Sequence, residues 1–194
     1  MLEILGKSKI RKKIILAFVY NQAKDFYLSE IARMVKTSAG TAQRELNKLL
    51  SQDFITFRKR GNLSIYRLNE SYSLLEEIES IVRKTIGIEV QLRNELSKLS
   101  GVRFAFIFGS YAKGGFRSDS DIDLFIIGSA SYDDVFGVVQ KIEGSICREI
   151  NYRLANETEF IEKAKESSFY LDILDSPLML VGKEDELKEL ARKT

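Results

Sequence analysis

Along residues 9–23 the apolar positions Ile10, Ile14, Ile15, Ala17, Phe18 and Val19 recur among Lys and Arg at a helical period, which predicts an amphipathic helix. Ser29 stands directly ahead of Glu30-Ile-Ala-Arg-Met-Val35, where serine is a helix-capping residue type, so a second, short helix is expected there. After Lys36-Thr37-Ser38 the helical spacing resumes over Ala39–Leu50, with Leu46, Leu49 and Leu50 facing inward and Thr41, Gln43, Arg44, Asn47 and Lys48 left largely outward. Two strands follow, Phe54–Arg58 and Leu63–Leu68, joined across Lys59-Arg60-Gly61-Asn62, where Gly and Asn accept the positive φ of a tight hairpin. From Ser71 to Leu99 only Gly87 interrupts an apolar stripe that includes Ile78, Val82, Ile88, Leu92 and Leu96, which predicts one broken or two consecutive helices. Such a stripe must be covered, either by its own chain as a strut or by a second copy in a homodimer through residues 71–99.

The rest of the chain reads as strand Val102–Phe108, a loop, strand Asp121–Ile127, a helix around Tyr132–Glu143, and strand Ile146–Leu154. Helices are expected over Glu157–Lys165 and Ser167–Leu174. Pro177 then marks a turn before a short strand at Leu178–Val181, and Glu184–Lys193 closes the chain as a helix. The boundaries suggest a basic domain over 1–69, a helical connector over 70–100 and a second domain over 101–194, and 194 residues are enough for two small cores.

Charge sharpens this division. The net charge is +2, but residues 1–69 carry 14 Lys/Arg against 5 Asp/Glu, or +9, whereas residues 70–194 carry 16 against 23, or −7. A basic half is the electrostatic footprint of a nucleic-acid surface. The lack of any His removes the common zinc sites and every histidine-based triad. Cys147 is the only cysteine, so no internal disulfide forms, and it reads as a small buried residue. No apolar run reaches the roughly eighteen residues of a membrane span, and the start lacks a signal layout. No membrane partner and a cytoplasmic location are therefore expected.

Two short helices with a tight turn, followed by a strand pair, form the pattern of a winged helix-turn-helix. Residues 8–69 resemble winged-helix regulators of the broad ArsR and MarR type. That likeness places the second helix of the motif in the major groove of double-stranded DNA. By residue type, Gln43, Arg44 and Asn47 suit base edges, Lys36, Lys48, Arg58, Lys59 and Arg60 suit phosphates, and Thr41 is a further DNA-binding candidate on the outward side of its helix.

The candidate chemistry lies in Phe106-Ile-Phe-Gly109-Ser110 and Asp121-Ile-Asp123-Leu124. An apolar strand ending in Gly-Ser lets backbone approach a ligand closely, and Ser110 offers a hydroxyl and an N–H to phosphate. In a strand, Asp121 and Asp123 project from one face, so both carboxylates meet one site. Hard oxygen ligands suit Mg²⁺ or Mn²⁺ on substrate phosphates, and a metal pair roughly 3.5–4 Å apart supports an in-line displacement. The segment from Phe104 to Ile127 resembles the signature of the DNA polymerase β nucleotidyltransferase superfamily, especially its minimal nucleotidyltransferase branch. The resemblance implies an NTP as substrate or ligand. It places Gly109, Ser110 and Lys113 on phosphate, in a short basic loop Tyr111-Ala-Lys113-Gly114, and Asp121 and Asp123 on metal.

The family also takes a third carboxylate from a later strand. Strand alternation puts Cys147, Glu149, Asn151 and Arg153 on one face, so Glu149 or Asn151 stands at that position. Glu149 would complete a catalytic and metal-binding set with Asp121 and Asp123, whereas Asn151 is an amide and a poor base.

The expected fold is α+β, an N-terminal winged helix-turn-helix followed by a small mixed-sheet nucleotidyltransferase domain. The leading functional expectation is a DNA-binding transcriptional regulator whose second domain binds NTP and Mg²⁺. The alternative is an active transferase that modifies a hydroxyl on a small molecule or a protein, as minimal nucleotidyltransferases that act as antitoxins modify a partner toxin, with the winged helix serving autoregulation or docking. A nucleic-acid-modifying enzyme is a third expectation.

Overall fold

The computed structural model describes residues 4, 6–113, 121–146 and 148–192. Cys147 and Gly114 lie outside the described residues. The chain divides into two compact units: Met1–Ile88 with Gly144–Cys147, and Glu89–Glu143 with Arg148–Thr194. Among the described residues no helix is long and apolar enough to cross a membrane.

The first unit runs α1 (Lys9–Tyr20), β1 (Phe26–Tyr27), α2 (Leu28–Met34), α3 (Ala39–Leu50), β2 (Ile55–Arg60), β3 (Leu63–Leu68) and α4 (Leu75–Thr85). Its three strands pair antiparallel in the order β1-β3-β2, the topology of a winged helix-turn-helix. Ser8 caps α1 by accepting from the Arg11 N–H, and Ser38 caps α3 by accepting from the Thr41 N–H. Ser29 is not a cap but lies inside α2. The extended residues Phe26 and Tyr27 are held by β3, so the helix begins as soon as that pairing ends. The hairpin tightens to a two-residue turn at Gly61 and Asn62, with Gly61 at φ +60°.

Within the stripe of residues 71–99, Ile78, Val82, Ile88, Leu92 and Leu96 are buried, while Leu74 is exposed. Gly87 separates α4 from α5 (Ile88–Leu96). A side chain there would collide with the Tyr20 hydroxyl, which accepts the Ile88 N–H at 2.8 Å.

The second unit holds a four-stranded sheet in the order β6-β5-β4-β7, from β4 (Val102–Phe108), β5 (Ile122–Gly128), β6 (Ile150–Ala155) and β7 (Leu178–Val181). β5 pairs antiparallel with β4 and parallel with β6. A short turn, α6 (Gly109–Ala112), leaves β4, and α7 (Tyr132–Ile146) crosses from β5 to β6. Ile146 belongs to this helix and not to the following strand. Val135, Val139, Ile142 and Ile146 are all buried at helical spacing, so the helix keeps them on one face. The face of the sheet bearing Phe104, Phe106, Phe125 and Ile127 packs against α8 (Glu157–Glu166), α9 (Ser168–Asp172) and α10 (Glu184–Ala191) through Phe160, Tyr170, Leu187 and Leu190. Phe125 anchors this core, stacked on Phe106 at 5.6 Å and met edge-on by Phe160 and Tyr170.

Candidate functional site

Three strands bring the site together. Phe108 at the end of β4 pairs with Asp123, and Asp123 stands across from Asn151 in β6. Cross-ladder partners share a face, so Phe108, Asp123 and Asn151 form one row at the end of the sheet. Gly109 follows Phe108 with φ +75°, and a Cβ there would lie 3.0 Å from Asp123 Oδ2. Both the backbone angle and the space therefore call for glycine, which brings the Gly109-Ser110 backbone up to the carboxylate. Tyr111 is buried, and its hydroxyl donates to Glu89 Oε1 at 2.7 Å, which pins the turn that presents Ser110. Lys113 ends that turn exposed, with its ammonium 3.9 Å from Asp175.

Asp121 lies exposed, one residue before β5. Burial pushes the Asp123 carboxyl above the ordinary range, and the nearby charge of Asp121 pushes it further; a hydrogen bond from Asn151 and the charge of Arg153 oppose the rise. Two like charges, one partly buried, form a site that gains from a cation. Glu149 lies exposed, one residue before β6, whereas Asn151 is in register with Asp123. Among the described residues no cluster of three or more acidic, His or Cys side chains gathers to hold a metal. Two carboxylates with an amide carbonyl alongside still fit Mg²⁺, which binds through one or two carboxylates and completes its shell with water and phosphate oxygens.

An open pocket of about 680 Å³ adjoins this row, lined by Phe108, Asp123, Tyr132, residues 150–154 and Phe169. Arg153 lies with its guanidinium 4.7 Å over the Phe169 ring. Strand alternation already placed Arg153 on the face of Asn151. Tyr132 and Phe169 carried no such signal, because only the packing of α7 and α9 against the sheet brings them to the pocket. Burial pushes the Tyr152 hydroxyl up to about 12.

The basic residues of the first unit are spread over three elements. Lys36 is exposed in the turn between α2 and α3, at φ +55°. On α3, Arg44, Asn47 and Lys48 are exposed, while Thr41 and Gln43 are half-buried. Gln43 donates to the Tyr66 hydroxyl at 2.8 Å and to Asn47 Oδ1 at 2.9 Å, and Arg44 reaches Thr41 Oγ1 at 3.4 Å. Lys48 pairs with Glu45 at 3.2 Å, and Arg11 meets the same carboxylate at 2.8 Å. Burial acts to raise the Glu45 carboxyl, but hydrogen bonds from Arg11 and Lys48 hold it below the ordinary range. In the wing, Arg58 is ion-paired with Asp25, and Lys59 and Arg60 are exposed at the end of β2.

Comparison with known proteins places residues 90–180 in the polymerase beta nucleotidyltransferase family. A Methanocaldococcus jannaschii protein named "Putative protein adenylyltransferase MJ0604" is 32% identical over 85 residues, which span 43% of this chain and 84% of that protein. Among solved structures, a toxin-antitoxin with AMP-PNP aligns at 17% identity and TM-score 0.39 over 54% of this chain and 81% of its own. Reduced HlyU from Vibrio cholerae aligns at 11% identity and TM-score 0.35 over 43% and 81%.

Proposed function

The chain belongs to the polymerase beta nucleotidyltransferase family, and from that premise we propose that its second unit transfers a nucleoside monophosphate, adenylate foremost, from a nucleoside triphosphate to a hydroxyl of a protein acceptor. The observation that carries this reading is the row at the end of the sheet: Asp123, raised by burial and by Asp121, lies against Gly109 and in register with Asn151. The Gly109-Ser110 backbone and the Ser110 hydroxyl take the phosphates, and Lys113 adds a cation beside them. Asp121 and Asp123 would hold Mg²⁺ or Mn²⁺, which when bound neutralises phosphate charge and eases loss of pyrophosphate. The acceptor oxygen attacks the α-phosphorus, the bond from phosphorus to the β-bridging oxygen breaks, and the acceptor proton passes to solvent. Asn151 has no basic oxygen to take it. Glu149 is the remaining candidate acid beside the strand, and its exposed place ahead of β6 suits a supporting role in acceptor binding more than a metal ligand.

The test is incubation of the purified chain with each of four α-labelled triphosphates and Mg²⁺, following label on protein and release of pyrophosphate. Asp121→Asn and Asp123→Asn should each abolish both signals. Full activity in both variants would move the chemistry elsewhere.

A specific observation favours a second role for the first unit. Its winged-helix topology leaves Arg44, Asn47 and Lys48 of α3 and Lys59 and Arg60 of the wing exposed. We propose that this surface binds double-stranded DNA and couples the transferase to regulation of transcription. Gel-shift titration across salt concentrations tests it. Binding that ignores salt, or no binding, would remove the DNA role and leave the transferase reading standing.

A further inference from the structure

The pocket that holds Asp123 runs along an open sheet edge. Among the described residues β6 is the outermost strand, and five consecutive residues of it, Ile150 to Leu154, line the groove. β5 occupies only one side of β6. The Ile150 N–H donates to the Glu143 side chain at 2.7 Å, so it points away from β5. Backbone groups alternate sides at each residue along a strand, which turns the N–H and C=O groups of Tyr152 and Leu154 to that same outer edge. Glu143 caps the first outward position, and the next two are a template for another strand.

The rim of the groove also has the character of a contact surface. Tyr132 is 62% exposed and Phe136 47%, with their rings stacked at 6.5 Å. Exposed paired aromatics beside an open edge mark a surface that meets a partner. On the Asp123 face, Asn151 and Arg153 follow one another two residues apart.

We propose that the acceptor docks on β6 as an added strand, an extended segment with its hydroxyl residue opposite Asn151 and an acidic residue two positions away opposite Arg153. This rests on the transfer reading for the second unit. Side chains of an added strand repeat on one face every second residue, which sets the spacing between hydroxyl and acid. Two inter-strand distances of about 4.8 Å each separate the added strand from β5, and among the hydroxyl residues tyrosine projects farthest across β6 toward a phosphate held at Asp123. Main-chain pairing supplies the affinity and Arg153 the register.

The experiment uses the full chain and a fluorescein-labelled heptapeptide of alternating valine and threonine, with a central tyrosine and a glutamate two residues later, read by anisotropy without ATP. N-methylation of the peptide nitrogens that face β6 leaves every side chain in place and should weaken binding about tenfold or more. Arg153→Glu should weaken the glutamate peptide and prefer the same peptide with lysine in place of glutamate. Leu154→Pro removes one outward N–H and should also weaken binding, since an edge strand tolerates proline on its free side. Absence of binding by the plain peptide, equal binding by the methylated one, or displacement by Mg-ATP in step with nucleotide occupancy would each overturn strand docking, the last by assigning the groove to the nucleotide. Because binding is read without ATP, a failure of labelled transfer leaves this result standing. Transfer to an intact protein by a chain that binds none of the peptides would overturn strand docking alone.

Discussion

The two units treat charge in opposite ways. In the first, cations are balanced locally: Arg11 and Lys48 converge on Glu45, and Arg58 meets Asp25. In the second, Asp123 is pushed up by burial and by Asp121 at the end of the sheet. The first arrangement stabilises the free protein, whereas the second withholds stability until a cation arrives. An interface that exchanges ion pairs for phosphate contacts can be polar and modest in affinity. A site that gathers like charges is built for a ligand of opposite sign.

The largest effect expected from breaking this contrast is at Asp123. Asp123→Asn should lower nucleotidyl transfer at least about a hundredfold, since it removes a carboxylate from the phosphate-metal site. The same change should raise thermal stability, by about 2 °C in a calorimetric scan without Mg²⁺. The sign follows from the raised carboxyl: its contribution to folding is fully present below the unfolded carboxylate range and is lost as pH rises through the higher folded value. A fall in stability on Asp123→Asn would show that the carboxylate is balanced rather than repelled.

Asn151→Asp sharpens the contrast from the other side. A third carboxylate in register with Asp123 should increase Mg²⁺ affinity and turnover about tenfold or more, read as pyrophosphate release, at some cost in stability without metal. No gain, or a loss, would mean that the Asn151 amide is itself the required donor to Asp123.

In the first unit the expected effect is one of stability. Glu45→Gln removes a carboxylate from the mostly buried Arg11 and should cost about 1–3 kcal/mol in denaturant unfolding. Glu45 is held low, so its stabilisation is present above the unfolded carboxylate range and is lost as pH falls through its lowered folded value. The wild-type protein should therefore lose stability on acidification in a way that Glu45→Gln does not.

The smallest effect expected is at the wing. Asp25→Asn frees the exposed Arg58 and should tighten DNA binding about two- to threefold, with a slightly steeper salt slope. An unchanged slope would place the wing away from the phosphates.

Much of the fold is legible in the periods of the chain. Strand β4 spans Val102–Phe108 as its apolar run predicts, and α3 spans Ala39–Leu50 as its spacing predicts. Ser29 misled because serine is a cap only where the backbone before it is free to be one, and there Tyr27 is committed to β3. Ile146 misled because an apolar residue near a helix end fits either period until packing chooses between them.

By itself the sequence determined most of the elements, the Gly109-Ser110 turn and the two-residue spacing of Asp121 and Asp123 at the start of β5, because local spacing and backbone freedom are properties of a few consecutive residues. The choice between Glu149 and Asn151 as the neighbour of Asp123 was decided by the register of β6 on β5, and a one-residue slip would have reversed the faces. Tyr132, Arg153 and Phe169 met around one pocket only because the start of α7 and α9 were both brought beside β6. Register and packing are set by contacts between residues far apart in the chain, and no local pattern encodes them.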